Sequence, residues 1–341
     1  MPTQTLVCTP GPTLTPSRTP TRTPTLTPTP SPTPAHPLAI ESLRAVPYAG
    51  SDLVVEQALG PGSNYDRFIA SYDSDGLKIY GLLTVPHGER PESGWPAVIF
   101  NHGYIPPDQY RTTERYIAYT DAFSRNGYVL FRPDYRGHGN SEGDAGGAYT
   151  SADYTIDVLN ALASVRRYPA VDPNRIGMWG HSMGGQITLQ VMVVSRDVRA
   201  GVIWAGLMGS YEDLQRWWWW PRWGWSDGTP VAGGASQDRA SAWLAEMETL
   251  YGAVDDDAPF WAALSPTSYL VDLSGPLQLH HGTGDTTVST VFSEKLYRLV
   301  QEAGHPVELY LYDGDDHNIS NSFGVAMVRS VEFFDLHVKA R

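Results

Sequence analysis

Ser182 stands in the run Gly180-His181-Ser182-Met183-Gly184-Gly185, which matches the pattern G-x-S-x-G. The run Arg175-Ile176-Gly177-Met178-Trp179 leads into it, and the apolar run Gln186 to Val194 leads out. A serine on a tight turn between a strand and a helix can attack an acyl carbon. The turn exposes the hydroxyl, and the helix aims its first amides at the reacting centre. Glycines at 180 and 184 suit such a turn, because a side chain at either would collide with the neighbouring strand or helix.

A serine hydroxyl is a weak nucleophile at neutral pH, so it needs a base, and the base needs an orienting acid. Both candidates follow the elbow in chain order. Asp285 lies in His281-Gly282-Thr283-Gly284-Asp285-Thr286-Thr287-Val288, just after an apolar run. His317 lies in Asp313-Gly314-Asp315-Asp316-His317-Asn318, just after the next one. The order Ser, Asp, His, with each residue at a strand end, is the order a strand–turn–helix nucleophile uses. Asp313, Asp315 and Asp316 compete for the acid role, but their closeness to His317 in sequence suits them better to shaping its loop. His305 and His337 fall on expected helices and read as surface residues.

Acyl transfer also needs two donors where the tetrahedral oxygen forms. The Met183 amide supplies one. The loop Asn101-His102-Gly103-Tyr104 is placed to supply the other through the Tyr104 amide, with the tyrosine hydroxyl as the alternative. His102 belongs to no cluster with metal-ligand spacing, so neither a metal nor a cofactor is expected.

These residues require a sheet to hold them. Phe68 to Tyr72 and Leu77 to Val85 read as a hairpin about Asp73-Ser74-Asp75-Gly76. Short apolar runs follow at 97–100, 129–131, 175–179, 201–204, 277–280 and 307–312, as expected for strands buried on both faces of a parallel sheet. Helical patterns lie between or after them at 112–125, 151–168, 186–194, 290–303 and 322–339. The alternation predicts a doubly wound, mostly parallel α/β sheet with an antiparallel N-terminal hairpin. Ligands bind such sheets at the carboxyl ends of the strands, where all three candidate residues fall.

Residues 207–265 break the rhythm and read as a lid or cap inserted into the domain. They contain Trp217, Trp218, Trp219, Trp220, Trp223 and Trp225, followed by a helical run from Ala240 to Tyr251. The indoles could pack the insertion onto the domain, wall an acyl or aromatic pocket (Trp217, Trp218, Trp219, Trp220 and Trp223), or meet a polymer or lipid surface.

The first 40 residues are different material. Thr15-Pro16, Thr19-Pro20, Thr23-Pro24 and Thr27-Pro28 recur every four residues with few large apolar side chains, which predicts a disordered, polyproline-like tether ahead of a catalytic domain over 41–341. Tracts of this kind accompany secreted or surface-attached domains. No basic and apolar export signal is visible after Met1. The one cysteine, Cys8, follows a poor lipobox in Thr5-Leu6-Val7 and excludes an intrachain disulfide. The formal charge is −13, with only Arg18 and Arg22 charged in the tether, and it argues against nucleic-acid partners and anionic membrane surfaces. No apolar stretch is long enough to span a bilayer. The composition does not specify an oligomeric state.

Taken together, Asp75-Gly76-Leu77-Lys78-Ile79 with Gly81, Asn101-His102-Gly103, Asp134-Tyr135-Arg136-Gly137-His138-Gly139-Asn140-Ser141, the elbow at Ser182, Ser265-Pro266, His281-Gly282-x-x-Asp285-x-x-Val288 and His317 resemble the α/β-hydrolase superfamily. More narrowly, they resemble the catalytic domains of prolyl oligopeptidase-type serine peptidases and related bacterial esterases, over about residues 67–338. The resemblance implies an α/β-hydrolase fold, a triad of Ser182, Asp285 and His317, and an acyl-enzyme. Two departures favour an esterase over a peptidase. Only the Thr-Pro tract and a short connector precede the domain here, where the oligopeptidases carry a β-propeller, and the insertion is longer and more aromatic. The expected substrate is a small-molecule or polymer-linked ester. An acylaminoacyl peptidase or other exopeptidase acting on a short peptide is the alternative, and a non-catalytic binding module on the same scaffold comes third.

Overall fold

A computed structural model describes residues 36–219 and 235–340, without the side chains of residues 218, 219 and 235–239. The described residues all belong to one compact unit, Ala35–Arg341. Residues 1–35 lie outside them, so the expected tether does too. Its expected end at residue 40 is too late: Leu38, Ala39 and Ile40 are already buried. Their apolar side chains join the main core, together with Leu43 of the short helix α1 (Ile40–Ala45).

One nine-stranded sheet organises the domain, in the order β1-β2-β3-β5-β4-β6-β7-β8-β9. The strands are β1 (Val54–Leu59), β2 (Tyr65–Ser74), β3 (Leu77–Pro86), β4 (Trp95–Asn101), β5 (Val129–Pro133), β6 (Val171–His181), β7 (Ala200–Trp204), β8 (Leu277–Gly282) and β9 (Val307–Tyr312). Pairings from β1 through β5 by way of β3 are antiparallel, and all others are parallel. The chain therefore has the α/β-hydrolase fold expected from its sequence. The β2–β3 hairpin is tighter than the expected four-residue turn. Ser74 pairs with Leu77, leaving Asp75 and Gly76 at φ 51° and 79°, the left-handed pair that a two-residue turn requires. Strand β1 was not foreseen, because its solvent-facing residues show no apolar alternation.

Alternation along the central strands divides the core. Ala97, Ile99, Ile176, Met178, Ile203 and Leu279 face one side, packed with α3 (Asp153–Arg167), α4 (Met183–Val194) and the helix Val291–Glu302. Val98, Phe100, Trp179, Val202 and Trp204 face the other, with Phe123 of α2 (Ile117–Arg125) and the helix Phe323–Phe334. With helices on both faces, the central strands are buried on both sides and mostly apolar at their middles, which is why they read as short runs.

The helix expected over 112–125 begins only at Ile117. Residues 110–116 form an irregular loop gripped by the end of β5. The fully buried Arg132 guanidinium donates to the carbonyls of Thr112, Glu114 and Arg115. Asp134 accepts from the hydroxyls of Tyr110 (2.7 Å) and Thr112 (2.5 Å). These tertiary bonds replace the helical ones that local propensity favours.

The insertion is helical where described. Tyr211–Leu214 starts on a capping box between Ser210 and Asp213, passes into a π-helical turn over Gln215–Trp219, and is followed by helices Ala235–Tyr251 and Pro259–Leu264. Aromatic packing holds it together, and His36 joins that cluster from the domain. Tyr211 lies 5.6 Å from Trp243 and 5.4 Å from the fully buried Trp261, and His36 meets both Trp243 and Phe260 edge-on.

Candidate active site

Ser182 occupies the sharp turn between β6 and α4 at φ 54° and ψ −120°, a backbone conformation that non-glycine residues rarely adopt. Its surroundings hold it there. Its amide donates to the Trp204 carbonyl at 3.0 Å, and its own carbonyl accepts from Gly185 and Leu207. The two glycines act as their positions suggested. A Cβ at Gly180 would strike the Gly184 carbonyl and the Thr188 hydroxyl, and one at Gly184 would strike the Asn101 carbonyl. The pattern G-x-S-x-G recurs at Gly139-Asn140-Ser141-Glu142-Gly143, but Ser141 sits in a loop and accepts from the Tyr80 amide at 2.9 Å. Only Ser182 has the strand before it and the helix after it.

Asp285 and His317 come together at the same edge of the sheet. His317 Nδ1 lies 2.6 Å from Asp285 Oδ2. Because Nδ1 faces a carboxylate, it carries the proton, which leaves Nε2 as the basic nitrogen. Asp285 is buried and fully engaged. Oδ1 accepts from the Thr287 and Val288 amides at 2.7 and 2.9 Å, and Oδ2 also faces His281 Nε2 at 3.2 Å. Burial alone would raise its pKa, but bonds from His281, His317 and the Val288 amide hold it well below the usual carboxylate range. His281 is a supporting residue that its motif signalled only by proximity. Its Nε2–H is shared with the Val288 carbonyl and its Nδ1 accepts from Ser293 at 2.7 Å, so it buttresses the acid. The rival aspartates build the histidine loop. Asp315 accepts from the Asp316, Asn321 and Ser322 amides, and Asp316 from those of Asn318 and Ser320.

His181, the residue before Ser182, links the two sides of the site. Its ring lies 4.7 Å from that of His317, and its Nε2 lies 3.0 Å from the His317 carbonyl. A carbonyl can only accept, so Nε2 bears the proton and Nδ1 is a lone pair. The Tyr116 hydroxyl donates to that lone pair at 2.8 Å and accepts from the Gly103 amide at 3.0 Å. Burial, reinforced by His317, pushes the His181 pKa down to about 3, so the ring stays neutral and this polarity is fixed. Tyr116 and its neighbour Arg115 both adopt left-handed backbone, at φ 48° and 53°. Such a conformation costs about 1–2 kcal/mol per residue, and the bonds to Arg132 and His181 offset it. Sequence reasoning placed both in a helix and missed them.

A cavity of about 620 Å³ opens over Ser182 and His317. Met183 and Tyr104, the two expected oxyanion donors, both line it. Met183 begins α4, so its amide has no intrahelical acceptor, and among the described residues neither amide meets one. Tyr104 is 57% exposed. Tyr116, Tyr119, Tyr149, Ile105, Leu207 and Val288 supply much of the apolar wall.

The insertion reaches the cavity through Leu207 and Ala240. The tryptophans expected to line it do not do so where they can be described. Trp217 is not part of the lining; it is 40% exposed, with the Arg216 guanidinium over its ring. The side chains of Trp218 and Trp219, and the whole of Trp220 and Trp223, lie outside the described residues. The tryptophans that pack the insertion are instead Trp243 and Trp261.

Comparison with known proteins bears on the fold. The family model described as serine aminopeptidase, S33, matches residues 96–227. The protein named uncharacterized peptidase YuxL, from Bacillus subtilis (strain 168), is 24% identical over 253 residues, covering 73% of this chain and 35% of its own length. Acylaminoacyl peptidase from Pyrococcus horikoshii superposes with a TM-score of 0.62 at 20% identity, over 82% of this chain and 43% of its own. Acetyl xylan esterase from Paenibacillus sp. R4 superposes equally well, at 0.62 and 17% identity, over 86% of this chain and 92% of its own. The chain thus spans about a third of YuxL, under half of the acylaminoacyl peptidase, and nearly all of the esterase.

Proposed function

We propose that this chain, a member of the α/β-hydrolase superfamily, is a serine hydrolase acting on carboxylic esters through an acyl-enzyme. One observation carries the reading. A strained Ser182 lines a cavity together with His317, whose Nδ1 is locked to the buried carboxylate of Asp285 at 2.6 Å. In this mechanism His317 Nε2 takes the Ser182 proton as Oγ attacks the acyl carbon. The charge on the resulting oxyanion is held by the amides of Met183 and Tyr104, and His317 then returns the proton to the departing alkoxide. Water repeats the sequence on the acyl-serine. Asp285 remains ionised throughout and steadies the imidazolium.

The cavity lining supports an ester over a peptide with a free amino terminus. An aminopeptidase must hold a substrate ammonium, for which a carboxylate is the natural partner. Among the described lining residues there is no aspartate or glutamate, and the one formal charge is the cation Arg115. A blocked peptide lacks that ammonium, so acylaminoacyl-peptidase chemistry is the second reading, favoured by the superposition on the Pyrococcus enzyme. The insertion over 207–265 acts in either case as a cap that selects substrate. Export to the cell surface or beyond, on a Thr/Pro-rich tether, is part of the same proposal.

The test is direct. A fluorophosphonate probe should label the wild-type protein and not Ser182→Ala; labelling that survives the substitution would sink the mechanism. Rates on 4-nitrophenyl acyl esters of graded length, set against N-acetylaminoacyl anilides, then separate the two readings. Faster anilide turnover would replace the esterase by the peptidase.

A further inference from the structure

We propose that the cavity selects substrates bearing a carboxylate close to the scissile acyl group, and that Arg115 is the residue that selects them. The inference rests on the serine hydrolase reading above and names the substrate class for that site.

Three independent observations converge on Arg115. It lines the cavity that holds Ser182 and His317, and it is the one formally charged residue among the described lining residues. The residue is solvent-exposed and its guanidinium forms no ion pair among the described residues, whereas the nearby Arg111 is spent on the carbonyls of Asp108 and Tyr110. Its backbone is held in a conformation that must be enforced, at φ 53° beside Tyr116 at φ 48°.

The enforcement is specific. The Arg132 guanidinium grips the Arg115 carbonyl at 2.8 Å and those of Thr112 and Glu114, and the Tyr116 hydroxyl is trapped between Gly103 and His181. The chain on both sides of Arg115 is therefore anchored to β5 and to the elbow, and the guanidinium starts from a fixed point on the cavity wall. Left-handed non-glycine residues held by surrounding structure concentrate at functional sites, and here the pair turns Tyr116 inward while leaving Arg115 at the cavity.

Charge makes the assignment discriminating. The chain carries a formal charge of −13, so a carboxylate approaching most of its surface is repelled. At the cavity it meets a planar cation able to bind it through two parallel N–H groups, and no described carboxylate competes for that cation. The substrate is then a half-ester of a dicarboxylic acid, or an ester whose alcohol or phenol carries a carboxylate.

Two matched pairs test this. On the acyl side, mono(4-nitrophenyl) glutarate is set against 4-nitrophenyl valerate. On the leaving-group side, 4-acetoxybenzoate is set against 4-acetoxybenzamide. The quantity read is the anion-to-neutral ratio of kcat/KM in wild type, Arg115→Lys and Arg115→Gln. In one pair at least, the wild-type ratio should exceed that of Arg115→Gln by roughly fivefold, the span of a partly exposed charge pair, with Arg115→Lys between them. The wild-type ratio should also shrink as salt rises to about 0.5 M, a readout that needs no variant to fold. Equal ratios in wild type and Arg115→Gln for both pairs, or a wild-type ratio indifferent to salt, would overturn the inference while leaving the hydrolase standing. A wild-type protein that hydrolyses no ester and takes no fluorophosphonate removes the proposed function, and this inference with it.

Discussion

The Tyr116 hydroxyl lies 2.8 Å from Nδ1 of His181, and that bond ties the loop proposed to cradle the oxyanion to the loop that carries the proposed base. On one side the same hydroxyl receives the Gly103 amide, one residue before Tyr104. On the other, His181 donates a hydrogen bond from Nε2 to the His317 carbonyl. Gly103, Tyr116, His181 and His317 thus form one hydrogen-bonded chain around Ser182, with its direction set by a histidine kept neutral by burial.

Tyr116→Phe should disturb this chain without opening a void. It leaves a buried imidazole nitrogen and the Gly103 amide without their partner, a loss of about 1–3 kcal/mol per unsatisfied group. Tyr116 acts here as a positioning residue, so the loss should fall mainly on kcat, by about tenfold, with a smaller change in KM and a slower rate of fluorophosphonate labelling. A variant with lowered thermal stability but unchanged kcat and labelling rate would reduce Tyr116 to a structural role.

Asp285→Asn keeps the shape of the acid and removes its charge. The amide can donate to His317 Nδ1, which would favour the tautomer with its proton on Nε2, the wrong nitrogen for a base. Ester hydrolysis at neutral pH should fall by about 10³–10⁴-fold while the fold is retained. A loss under tenfold would mean that another carboxylate orients His317, with Asp316 the first to test.

Gly184→Ala should be severe and Gly324→Ala benign. The methyl group at 184 meets the Asn101 carbonyl, so α4 must move away from β4 and take Ser182 with it. Overpacking of this kind costs about 1–3 kcal/mol, and probe labelling should fall along with the urea midpoint. At Gly324, in the helix Phe323–Phe334, a Cβ has open space and no positive φ, so alanine should hold or raise stability by roughly 0.5–1 kcal/mol. Equal effects at the two positions would mean that the close approach at 184 is not what requires glycine.

Acid should weaken the fold well above the range where carboxylates titrate. His102, His138, His181 and His280 are buried, and burial lowers each pKa from 6.5, to about 3 for His181 and His280. In the unfolded chain these rings take up protons as pH falls below about 6.5, and in the folded chain they do not. Their stabilising contribution is thus intact above that pH and is lost as pH drops towards the folded values, by up to roughly 1.4 kcal/mol per histidine per pH unit. Urea unfolding followed at pH 7.5 and 5.5 should show a clear fall in free energy, and a flat profile over that window would contradict the burial of these rings as neutral species.

The amino-acid sequence determined the fold class and singled out Ser182, Asp285 and His317, in that order, as the candidate reacting residues. Each of those signals is local: a glycine-framed turn between a strand and a helix, and polar residues directly after apolar runs. The proposed acid was separable from its rivals for the same reason, since Asp313, Asp315 and Asp316 sit too near His317 in the chain. Tertiary structure alone decided how those residues are held. The Tyr116–His181 bond spans 65 positions and the His181–His317 bond 136, and no periodicity reports such pairings. The helix expected from Thr112 gave way to the Arg132 guanidinium, which outcompeted local propensity for the carbonyls of Thr112, Glu114 and Arg115. That exchange set Tyr116 against the elbow and Arg115 at the cavity. Local turn chemistry fixed the reacting groups, and long-range hydrogen bonding fixed their surroundings.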